Sequence, residues 1–160
     1  MHNLKITISA LDVAKYFLFK ANSEGDLITN LKMQKLLYYA QAWYLVNFNA
    51  PLFKETIKAW ALGPVIREVY NEFKIFGASP IEYKHTGKEV KIFTEEQRNY
   101  LNEFYDVFFK FNAHELVNMT HNEKPWMDAY KNKTDISRQS MKSYYSSVLK
   151  ASRKNGKKAH

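Results

Sequence analysis

Between Leu31 and Val46 the chain is apolar over nearly the whole circumference of a helix. Met33, Leu36, Leu37, Ala40, Trp43, Tyr44 and Leu45 cannot share one narrow stripe. A helix of this kind has to be central, with the rest of the chain wrapped around it. Gln34, Tyr38 and Gln41 make a short polar stripe on it, which either hydrogen-bonds inside the core or faces a groove.

The remaining periodicity is also mainly helical. Ser9 with Asp12, Thr94 with Gln97 and Asn112 with Glu115 are capping boxes that open three helices. Buried faces follow at Ala10, Val13, Ala14, Phe17, Leu18 and Ala21, and at Leu101, Phe104, Tyr105 and Phe108. Residues 52–60 read as extended, with Thr56 and Ile57 favouring a short strand. Gly63-Pro64 is expected to start a third helix, which Gly77 ends. Ile81 and Tyr83 opposite Val90 and Ile92, around His85-Thr86-Gly87-Lys88, predict a small hairpin. Further helical turns begin near Pro125, and a last helix covers about 137–150. The expected fold is mainly α, a single-domain bundle of six to seven helices with one small β-hairpin or short sheet.

A chain of 160 residues makes one domain and buries enough surface to fold without staples. It has no cysteine, which excludes disulfide scaffolds, thiolate metal sites and cysteine nucleophiles. No apolar run approaches the ~20 residues of a membrane span. The first six residues lack a signal-peptide apolar region, so a cytoplasmic protein is expected. Of the net charge of +8, five units come from Lys150, Arg153, Lys154, Lys157 and Lys158. The expected division is therefore a domain over 1–149 and a basic, flexible tail over 150–160. Such a tail is suited to weak, non-specific contact with nucleic acid. Elsewhere Lys32, Lys35, Arg67 and Lys74 read as single solvated charges rather than a phosphate-binding surface.

Little chemistry is written into the motifs. His121 beside Glu123 has the residue types of an oriented general base, but no nucleophile stands at a readable spacing; the favoured reading is structural, with Thr120 and Glu123 as a capping box or the next helix starting at Pro125. His2, His85, His114, His121 and His160 are too scattered for a metal site. No glycine-rich phosphate cradle is present. An anion held at a helix start after Gly63-Pro64 is the lesser alternative to an ordinary helix cap there. No catalytic, cofactor or metal residues are assigned.

Three segments resemble the Panacea antitoxin domain, a family of SocA-like proteins of bacteria and phages. They are Asn30-Leu31-Lys32-Met33-Gln34-Lys35-Leu36-Leu37-Tyr38-Tyr39-Ala40-Gln41; then Pro51-Leu52-Phe53 with Ala59-Trp60-Ala61-Leu62-Gly63-Pro64-Val65 and Val69-Tyr70; then Leu116 with Thr120-His121-Asn122-Glu123-Lys124-Pro125-Trp126. The resemblance implies a mostly helical, non-enzymatic antitoxin that binds a cognate protein toxin encoded by a neighbouring gene. Its motif residues are Gln34, Lys35, Tyr38, Trp60, Gly63, Pro64, His121, Glu123, Pro125 and Trp126. Their rigid turns and large aromatics are expected to form an internal junction, where a Trp packs and a His121–Glu123 hydrogen bond fixes the turn. The alternative is that they line a partner groove.

Overall fold

A computed structural model describes residues 7–158. Residues 1–6, on which the expected lack of a signal segment rests, lie outside the described residues, as does the end of the basic tail, residues 159–160.

Seven α-helices and one two-stranded sheet make up the fold among the described residues. Helix α1 (Ala10–Glu24) opens with the Ser9–Asp12 capping box. Helix α2 (Asn30–Phe48) is the axis of the fold, with Met33 through Ala42 buried without a break. Strand β1 (Lys58–Trp60) pairs antiparallel with β2 (Gly63–Val65), Trp60 facing Gly63 across a two-residue turn. Helix α3 (Arg67–Phe73) runs into a 3-10 turn ending at Gly77. Helices α4 (Glu95–Phe108) and α5 (Ala113–His121) begin at the Thr94–Gln97 and Asn112–Glu115 boxes. Helix α6 (Lys124–Asn132) carries Pro125 in its first turn, and α7 (Arg138–Lys158) closes the chain. Helices α1, α3, α4, α5 and α7 all pack directly on α2.

The aromatic residues concentrate where α2 meets its neighbours. Tyr38, Tyr39, Tyr145, Phe17 and Phe53 are fully buried. Tyr39 stacks on Phe108, and Tyr44 meets Tyr100 edge-on. Each buried ring adds area, and each tyrosine still needs a polar partner. Tyr100 finds one in the carbonyl of Ala40, to which it donates at 2.6 Å.

Two local expectations are corrected. Gly63-Pro64 does not start a helix; it forms β2, and α3 begins at Arg67 with Ile66 as its N-cap. Gly63 sits at φ +112°, far from helical backbone, and α2 side chains bind the carbonyl of Pro64 and the amide of Ile66. With no helix N-terminus at Gly63, neither a capped start nor an anion site exists there. The strand expected around Thr56 and Ile57 begins slightly later, at Lys58, while Ile57 pairs singly with Ile136.

The hairpin expected over residues 81–92 is also absent. Residues 81–86 are irregular and Lys88–Val90 form a 3-10 turn. Glu89 explains why: its carboxylate accepts from the backbone N–H of Thr86 (2.7 Å) and of Gly87 (2.8 Å) and from the Tyr83 hydroxyl (2.8 Å). A carboxylate that takes the turn's amides offers the backbone an alternative to a ladder. Desolvation works to raise the Glu89 pKa, but these donors outweigh it and hold the group at about 2. A carboxyl held below its unfolded value stabilises the fold above the unfolded pKa and ceases to as pH falls through the folded one. Glu89→Gln is therefore expected to lower the melting temperature at pH 7, and the gap to the wild type should shrink as pH falls from about 4.5 to about 2. A pH series of thermal melts measures both.

Candidate functional site

The polar stripe of α2 points into the molecule. Gln34 accepts from the Ile66 amide at 2.9 Å and donates to Asn30 Oδ1 at 2.9 Å; Asn30 in turn donates to the Tyr70 carbonyl. Gln41 accepts from the Leu52 amide and donates to the Phe53 carbonyl, both at 2.7 Å. Two glutamines of one helix thus pin both ends of the segment that carries the hairpin. Leaving these amides and carbonyls unpaired would cost about 1–3 kcal/mol each.

Lys35, expected as a solvated charge, is instead fully buried. Its ammonium donates to the Pro64 carbonyl at 3.1 Å, and burial pushes its pKa down to about 7. The side chain runs directly under Gly63. A Cβ at that position would stand 2.6 Å from Lys35 Cε and 2.9 Å from Thr120 Oγ1. Glycine is required there twice over, by the close approach and by the positive φ.

The third motif meets the same region from the other side. Trp126 is buried, and its indole N–H donates to the Trp60 carbonyl at 2.8 Å, which joins α6 to β1. Trp60 in turn packs edge-on against Tyr70. Pro125 is buried in the first turn of α6. His121 stacks on Trp126 with ring centroids 4.1 Å apart, and Tyr130 stacks on the same indole at 4.7 Å.

The hydrogen bond expected between His121 and Glu123 is not made. Glu123 faces the tyrosines instead: Tyr39 donates to its Oε1 at 2.5 Å and Tyr145 at 2.8 Å. Because the single Tyr145 proton is committed to the carboxylate, the Tyr38 hydroxyl, 3.0 Å away, is the donor to Tyr145. The result is a relay of three tyrosines from α2 and α7 ending on one carboxylate. Burial pushes the Glu123 carboxyl above the usual carboxylate range, against the pull of the two hydroxyls. Burial likewise pushes Tyr39 and Tyr145 up, so both remain neutral donors. Thr120 does not cap α6; it lies in α5 and donates to the Val117 carbonyl.

Of the ten motif residues, Gln34, Lys35, Gly63 and Pro64 therefore meet at one seam, Trp60 with Trp126 at a second, and Tyr38 with Glu123 at a third. Sequence reasoning missed Tyr39 and Tyr145 as polar partners. Tyr39 lies inside the first motif, while Tyr145 carries no local signal beyond its place on an apolar face. Among the described residues no group of three or more His, Asp or Glu side chains is close enough to hold a metal ion. No helix among them is long and apolar enough to cross a membrane.

The site is thus a helical frame built around a buried glutamine–lysine–tyrosine helix, a Gly-Pro strand and a His-x-Glu-x-Pro-Trp turn. Residues 33–127 match the family described as antitoxin SocA-like, Panacea domain, and the chain belongs to it. Antitoxin SocA of Caulobacter vibrioides (strain NA1000 / CB15N) is 36% identical over 84 residues, which are 52% of this chain and 45% of that protein. The match thus spans less than half the length of that relative. No solved structure matches the chain.

The geometry around Glu123 gives a direct test of its role. Gln at this position retains an oxygen that both tyrosines can reach, whereas Ala leaves two buried hydroxyls unpaired. Glu123→Gln should stay within about 1 kcal/mol of the wild type at pH 7, and Glu123→Ala should lose about 2 kcal/mol or more in urea unfolding. Equal losses for the two variants would contradict the tyrosine relay.

Proposed function

We propose that the chain is an antitoxin that neutralises a cognate toxin, encoded by a neighbouring gene, through direct protein–protein binding in the cytoplasm. The observation that carries this reading is the family match across residues 33–127, which takes in all ten motif residues. The chemistry of those motifs agrees with it. The carboxylate of Glu123 and the side chains of Gln34 and Gln41 are engaged in internal hydrogen bonds that hold the scaffold. The antitoxin acts by occupancy, masking an active site or holding an inactive conformation. An interface of standard size, ~1,600 Å² in total, suffices for that.

A second reading has one observation in its favour. Lys150, Arg153 and Lys154 lie exposed on α7, which continues as helix to Lys158. A basic helix of this kind suits phosphate contact, and binding through it would weaken steeply between about 50 and 200 mM salt.

One experiment separates the two. The adjacent open reading frame is induced alone and together with this protein, and complexes are pulled down over a salt series. Toxicity alone, restored growth together and a co-purifying pair that survives about 200 mM salt are expected. A harmless neighbour with no complex, and nucleic acid recovered at low salt instead, would favour the regulator.

A further inference from the structure

Between the β1–β2 turn, the first half of α2 and the end of α3 lies a groove of ≈ 420 Å³ that none of the bonds above fills. Its size falls in the range of about 300–1,000 Å³ found for sites that take a specific group. Leu31, Trp60, Leu62 and Val65 make its wall mostly apolar. Its lining holds two lysines and no Asp or Glu; Lys35 is fully buried, and Lys74 is exposed. Lys35 has three N–H donors and a single acceptor, the Pro64 carbonyl. No ion pair involves either lysine among the described residues.

The groove is formed in advance of any partner. Trp60 is held from behind by the Trp126 indole N–H and from the side by Tyr70. Gly63 and Lys35 fix the turn beneath it. Leu62, 59% exposed at the tip of that turn, is an apolar rim standing in water. Rigid, apolar pockets with an exposed apolar rim are where interface anchors deliver most of their energy.

We propose that this groove is the toxin-docking site, and that the toxin presents to it an apolar side chain flanked by a carboxylate. The proposal rests on the antitoxin reading and locates its contact surface. The apolar wall receives the side chain, and Lys74, exposed beside it, receives the acid. A second copy of this chain is a poorer occupant, because two molecules of net charge +8 repel.

The chain contains no cysteine, so Leu62→Cys gives a single labelling site. An environment-sensitive dye there should shift when the product of the neighbouring reading frame is added. The same dye at Ile92→Cys, on an exposed residue outside the groove, should not. Leu62→Glu and Lys74→Glu should each weaken the complex ten-fold or more and lose growth rescue, with melting temperatures unchanged. Lys74→Arg and Ile92→Glu should stay within two-fold of the wild type. A complex that forms with a silent Leu62 label and wild-type affinity in both Glu variants would overturn the groove alone. A dye shift driven by the chain's own concentration would overturn it in favour of self-association. If the wild type neither binds nor rescues, the antitoxin reading itself falls and the groove with it.

Discussion

The fold depends on side chains of α2 doing the hydrogen bonding that strands would otherwise do for the segment from Leu52 to Ile66. That segment has only three ladder positions of its own, in a two-stranded hairpin too small to stand alone. Gln41 holds its beginning and Gln34 and Lys35 hold its end. Because α2 is buried on all sides, each of these bonds forms in a setting where an unpaired partner is costly. The apolar circumference of the helix sets its central position, and the three polar residues set what may lie against it.

That division explains what could be read from the sequence. The capping boxes at Ser9, Thr94 and Asn112 were legible because each is complete within four residues. The central place of α2 was legible because an all-round apolar helix has nowhere else to go. Gly63-Pro64 misled because its conformation is imposed by Lys35 and Gln34, about thirty positions upstream, and local statistics favour a helix start. Alternating Ile81, Tyr83, Val90 and Ile92 suggested strands, and one carboxylate, Glu89, took the amides instead. At the third motif the residues were legible and the pairing was not. His121 and Glu123 are sequence neighbours that diverge, one to an indole and one to tyrosines from two other helices.

The motif residues do not separate cleanly into structural and functional sets. Trp60 and Lys35 have internal partners, and the same two residues line the groove beside the hairpin turn. A frame locked by long-range bonds presents that turn in one conformation. A rigid turn reduces the ordering cost of association.

The central claim is that α2 side chains, not a sheet, secure the Leu52–Ile66 segment. Native-state hydrogen exchange tests it most directly at the Leu52 and Ile66 amides, whose acceptors are Gln41 and Gln34. Both should exchange only through global unfolding, with the same opening free energy as amides in the middle of α2. Exchange of these two amides through local opening, while the middle of α2 stays protected, would contradict the account.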